Sequence, residues 1–187
     1  MHQSIRLVWL GILCALVVAC GSTNLSLINQ VKRFEPEWTN LAEKVSYVER
    51  NLRATQRHYL ADFETVDPYL ENTRKMQSAR LSSVRSQLLN VISQRDSLQS
   101  NFDEQRASFL YELNAFNEWE NALMNDELDE QEARIQLEAY KKSVSLMMAK
   151  MDALQDQTIR NIEEHNSILR QISSKLELYQ NFDINPR

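Results

Sequence analysis

The chain has 187 residues and a formal net charge of −5, from 21 Lys and Arg against 26 Asp and Glu. That length supports one domain with a real core. The acidic balance, without any aromatic-plus-basic stripe, excludes a surface built for nucleic acid.

Composition narrows the fold further. Both glycines, Gly11 and Gly21, lie near the N-terminus, and the prolines are only Pro36, Pro68 and Pro186. Without glycine for positive-φ turns or phosphate-cradling loops, Rossmann, P-loop and most β-rich folds are excluded. The remainder is rich in Leu, Gln, Glu, Arg, Lys and Ala, which favour helix. The fold class expected is all-α.

The N-terminus opens with Arg6 and an apolar segment, Leu7 to Val18, too short to span a bilayer as a mature helix. It ends in Val17-Val18-Ala19-Cys20-Gly21. This stretch resembles the lipobox of bacterial lipoprotein signal peptides, in which small or apolar residues precede an obligatory cysteine. Cys14 is a poorer match, with Gly11 ahead of it and a long apolar remainder behind. The resemblance implies removal of residues 1–19, diacylglycerylation of the Cys20 thiol, and acylation (palmitate) of the new amino terminus. Acyl chains contribute about 0.8 kcal/mol per buried methylene, so several make a stable anchor. Gly21, rather than Asp, after the cysteine implies transfer to the outer membrane under the enterobacterial sorting rule. Removing such a leader takes away Arg6 and no acidic residue, so the charge becomes about −6. It also leaves no cysteine but the lipidated one, so no disulfide, cysteine-bound metal or thiol chemistry is available. In an oxidising envelope the fold then rests on packing alone.

After a short tether over 20–26, the first helix is predicted at 27–66. Its apolar positions are Leu27, Val31, Phe34, Trp38, Leu41, Val45, Val48 and Leu52, then Thr55 and Tyr59. Steps alternating between four and three residues make a heptad seam facing a partner helix. Phe63 and Val66 continue it after a stutter. Pro36 either bends this helix or marks its true start, and the long part is expected to begin near it. Asp67-Pro68 is expected to end the helix, with Asp67 capping the next.

A second helix follows at 69–124, with Leu81, Val84, Leu88, Val91, Leu98, Phe102, Phe109, Leu113, Phe116 and Leu123 on its seam. Arg95 and Gln105 occupy seam positions and fix register at some cost in stability. Asn125 to Glu130 is the next turn, where Asp126 or Asp129 starts a third helix at 130–181. That seam reads Leu137, Tyr140, Val144, Met147, Met151, Leu154, Thr158, Ile162, His165, Leu169, Ile172, Leu176 and Tyr179, and residues 182–187 form a tail. Short connections make neighbouring helices antiparallel. The expectation is an elongated antiparallel three-helix bundle, its longest helices about 75–85 Å at 1.5 Å per residue. The first helix is expected to be the shortest, leaving part of the second–third hairpin as a two-helix coiled coil.

Chemistry is sparse. His165, on the third seam, is expected to be a partly buried polar seam residue; the sharper alternatives are a metal ligand or a pH switch. His58 lies beside the first seam. A ferritin-like carboxylate site needs Glu-x-x-His, but Ile162 stands where that glutamate would be. The acidic group Asp126, Glu127, Asp129, Glu130 and Glu132 lacks the glycine of a calcium loop and reads as a solvated helix-cap cluster. No nucleophile elbow or serine–lysine motif occurs. No enzyme activity, cofactor or metal is expected.

Two stretches are candidate contact surfaces. Tyr111, Phe116, Trp119 and Met124 carry more apolar surface than one seam requires and are candidate partner anchors; the alternative is a wider core there. Met147, Met148 and Met151 are either an adaptable patch or gap-fillers. The expected function is an outer-membrane lipoprotein facing the periplasm. It would join the membrane through Cys20 to an envelope protein partner, or assemble as a homo-oligomer. The alternative is a periplasmic chaperone or stress-sensing bundle.

Overall fold

The computed structural model describes the backbone over residues 2–73 and 79–176, and side chains over 25–68 and 82–174. Cys20 and the leader, the seam residues Leu81, Leu176 and Tyr179, and the tail 182–187 lie outside the residues whose side chains are described. Three helices pack against one another: α1 (His2–Thr73), α2 (Ala79–Met124) and α3 (Glu130–Leu176). No strand occurs among the described residues. The fold is an all-α three-helix bundle. Among the described residues, no helix is long and apolar enough to cross a membrane.

The chain divides into two compact units, Met1–Ala42 with Phe109–Met147, and Glu43–Ser108 with Met148–Arg187. In the first, Phe34 meets Phe116 while Trp38 meets both Phe116 and Phe109. Advancing along α1 means retreating along α2, so the two are antiparallel. The second unit repeats that relation, with Leu52 against Arg95 and Asp67 against Arg85. There α1 and α3 advance together, through Lys44–Asp152, Tyr59–Asn161 and Asp62–His165. The heptad seams supply the buried faces. Leu27, Val31, Leu41, Leu52, Val91, Phe102, Leu137 and Met151 are all buried, each large side chain contributing about 1.5–3 kcal/mol.

Several boundaries depart from expectation. Leu25 and Ser26, expected in a tether, are already helical, and α1 runs without interruption through Pro36. It also passes Asp67-Pro68 and ends only at Thr73. Each proline forfeits a backbone hydrogen bond to the carbonyl four residues earlier. Both prolines, and Lys32 and Glu64 whose carbonyls lose that bond, are solvent-exposed, so water can serve the freed oxygens. Asp67 does not cap α2. Its carboxylate accepts two hydrogen bonds from Arg85, Nε at 2.6 Å and Nη2 at 3.1 Å, and ties α1 to α2. At 72 residues α1 is the longest helix, not the shortest. Leu27 and Val31 are fully buried ahead of Phe34, so α1 covers the hairpin nearly to its loop, and the expected two-helix extension at that end does not occur among the described residues.

The α2–α3 loop shows why glycine was dispensable. Asp126 takes the left-handed conformation at φ 60°. Its N–H bonds Leu123 O at 3.2 Å, and the Glu127 N–H bonds Ala122 O at 2.9 Å. This pair of bonds is the Schellman closure, usually built on glycine and here on Asp, a residue that tolerates that region. Asp129 then caps α3: its Oδ1 accepts from the backbone N–H groups of Gln131 at 2.9 Å and Glu132 at 3.1 Å. Glu130 and Glu132 in the first turn complement the helix dipole.

Candidate functional site

The four candidate anchors separate by burial. Phe116 is 2% exposed and Trp119 9%, whereas Tyr111 is 76% exposed and Met124 46%. Phe116 and Trp119 are therefore core, correcting their assignment as partner contacts. They belong to an aromatic cluster of the first unit. Trp38 lies 5.4 Å from Phe116 and 6.2 Å from Phe109, measured between ring centroids. Tyr140 closes the cluster from α3, 5.3 Å from Phe116 and 5.4 Å from Trp119. The off-seam position of Trp119 is explained by size, since an indole at the edge of the seam reaches a neighbour that a smaller side chain would miss. The indole N–H groups of Trp38 and Trp119 are buried without hydrogen bonds. Nearby, burial first, then a hydrogen bond with Glu35 and its charge, holds the Glu120 carboxyl above the ordinary range, while Lys32 pulls the other way. Met147 and Met151 are buried and fill the core.

The second unit holds a buried polar layer. Tyr59 Oη donates to Asn161 Oδ1 at 3.0 Å, and Asn161 Nδ2 donates to Val91 O at 3.1 Å, so one amide links all three helices. Arg95, 3% exposed, donates from Nη2 to Leu52 O at 3.0 Å. Thr55 Oγ1 donates to the same carbonyl at 2.8 Å. Arg95 Nη1 reaches out to Asp96 at 2.9 Å. Its Nε is buried without a partner.

His165 lies at the centre of this layer, fully buried rather than partly so. Its ring lies flat on Tyr59, with centroids 3.7 Å apart and planes 12° from parallel. Neither ring nitrogen is hydrogen-bonded, and Asp62 Oδ2, also buried and unbonded, stands 3.9 Å from Nε2. Burial lowers the His165 pKa to about 4, against the Asn166 side chain and with a further lowering by His58. Burial raises the Asp62 carboxyl, which His58 partly offsets. Desolvation likewise pushes the Tyr59 phenol upward. Among the described residues, no group of three His, Cys, Asp or Glu side chains could hold a metal ion. The acidic loop residues Asp126, Glu127 and Asp129 are exposed, and Asp129 caps.

Asn161 escaped sequence reasoning. The seam passes through Asn161 and Ile168, both buried, rather than through Ile162, which is only partly so. The missed signal was spacing: Leu154, Thr158, Asn161, His165, Ile168 and Ile172 keep the alternation of four and three. Comparison with protein-family models, curated proteins and solved structures found no match to this chain.

Proposed function

We propose that the chain is a helical lipoprotein anchored in the outer membrane, facing the periplasm, that acts as a structural adaptor for another envelope component. The observation that carries this reading is Val17-Val18-Ala19-Cys20, placed behind Arg6 and an apolar run. The fold is compatible with it. Among the described side chains of α1, Leu27 is the first that is buried; it lies about 10 Å along a helix from Cys20, so an acylated Cys20 would hold that end of the first unit close to the bilayer. By the register of Phe34 on Phe116, the α2–α3 loop lies at the same end. Tyr111 offers a large exposed aromatic on α2, the kind of residue that anchors protein contacts.

The test begins with Cys20→Ser, palmitate labelling and membrane fractionation. The wild-type protein should label and sediment with outer membrane, and the variant should do neither. Identical behaviour of the two removes the anchor and the adaptor with it. Photo-crosslinkers at Tyr111 and Met124 in intact cells then address the partner. One dominant envelope protein supports the adaptor. A spread of unfolded clients replaces it with the periplasmic chaperone, and self-crosslinks alone replace it with a homo-oligomeric spacer.

A further inference from the structure

A buried imidazole without hydrogen bonds is stable only when neutral, because the charged ring carries two N–H groups that both need acceptors. His165 is such a ring. Stacking on Tyr59 does not relieve the problem. A tyrosine face attracts a cation, but the imidazolium N–H bonds lie in the plane of the ring and point past the face beneath. Two acceptors stand nearby, the Asn166 side chain, which favours the charged ring, and Asp62 Oδ2, at 3.9 Å from Nε2. The latter distance is beyond hydrogen-bonding reach, and closing the gap slides one side chain from its present seat.

The remaining charges give little help. On α1, exposed His58 opposes a positive charge on His165. From α2, Arg95 brings a buried positive charge toward Tyr59. From α3, Glu164 is negative and acts on Tyr59, but it is exposed to solvent. Asp62 is thus the main counter-charge; its side chain is half-buried, and the oxygen nearest the ring is sealed from water.

We propose that His165, with Asp62 and Tyr59, is an acid-sensitive latch in the second unit: protonation of the ring breaks its stack on Tyr59 and loosens α3 from α1 over residues 158–172. This goes beyond the adaptor reading and depends on neither the anchor nor the partner. An opened segment restores the ring to the ordinary histidine pKa of about 6.5, whereas the closed form holds it near 4. Linkage then makes the open form about 30-fold more populated, relative to closed, at pH 5 than at pH 8. Asp62, pushed upward by burial, opposes this only as the pH approaches its own range, so pH 5 is the lower limit of the test.

The test is amide hydrogen exchange on the full chain at pH 8 and pH 5, corrected for intrinsic rates. Protection over 158–172 should fall about 30-fold in the wild type, with residues 133–144 of the first unit unchanged. His165→Leu, which keeps the volume and cannot be protonated, should remove the fall. Unchanged protection in the wild type, or the same fall in His165→Leu, overturns the latch. Proton NMR titration of His165 in the wild type decides independently if that variant does not fold. A midpoint near 4 with loss of the Tyr59 ring-current shift supports the latch, and a midpoint at 6 to 7 overturns it.

Discussion

Asn161 joins Tyr59 on α1 to the Val91 carbonyl on α2, receiving one hydrogen bond and donating another. A buried amide of this kind is costly to remove, because the Tyr59 hydroxyl is left unpaired while the Val91 carbonyl falls back on its bond within α2. Tyr59→Phe deletes one bond and keeps the ring on His165; it should cost about 1–2 kcal/mol. Asn161→Ala strands the Tyr59 hydroxyl, while the Val91 carbonyl keeps its bond within α2, and should cost about 1–3 kcal/mol. Urea unfolding of the two single variants and the double variant measures the coupling, expected in the range of about 0.5–3 kcal/mol.

Global stability should fall in mild acid. The His165 pKa is lowered to about 4 in the folded chain from about 6.5 in the unfolded one, so the unfolded chain binds the proton first. The resulting stability is complete above pH 6.5 and lost progressively as pH falls toward 4, about 3 kcal/mol in all. Asp62 carries the opposite sign: its raised pKa favours the folded chain as pH falls toward the carboxylate range. Urea midpoints between pH 8 and 5 should therefore decline in the wild type and stay level in His165→Leu.

Arg95 is buried with its Nε unpaired, and among the described residues its charge is met by Asp96 at the surface. Desolvation of such a guanidinium offsets much of what its hydrogen bonds contribute. The Leu52 carbonyl keeps its bond from Thr55 when Arg95 is removed. Arg95→Met should be neutral or stabilising by about 1 kcal/mol or more, read from thermal unfolding by circular dichroism. A loss above about 2 kcal/mol would mean that the register depends on the charge.

Tyr111 and Phe116 should separate contact from core. Tyr111→Ser removes an exposed ring and should change stability by no more than about 0.5 kcal/mol; if the proposed adaptor role holds, it should also weaken crosslinking from this face. Phe116→Ala leaves a void among Phe34, Trp38, Trp119 and Tyr140 and should cost about 3–5 kcal/mol. Equal loss of stability in both variants would contradict the assignment of Tyr111 to a free surface.

The hairpin loop starts α3 with a side-chain cap. Asp129→Ala removes the acceptor of two backbone N–H groups and should cost about 1 kcal/mol. Asp129→Asn should restore most of it, because an amide oxygen caps as well as a carboxylate. Thermal midpoints of the pair check this.

Helix, three of them, and most of each buried face were legible in the residues alone. Scarce glycine and proline together with alternating steps of four and three leave few other ways to bury Leu27, Val31, Leu52, Leu137 or Met151. The ends of α1 were less legible. Pro36 and Pro68 disfavour helix locally, and solvated carbonyls with a continuous seam on either side outweigh that penalty. Polar residues on the seam were the hardest to place. Asn161 looks like surface in one dimension, and only Tyr59 and Val91, brought to it from other helices, make its burial tolerable.

The amino-acid sequence by itself thus determined the class of fold and the faces of the helices. These depend on local periodicity and composition, which a linear chain carries in full. Tertiary structure decided that Phe116 and Trp119 are core while Tyr111 is surface. It also decided that His165 is sealed beneath Tyr59 and beside Asp62. Burial, ring stacking and the pKa of a histidine depend on what neighbouring helices place against it, and that distance is set by packing rather than by position along the chain.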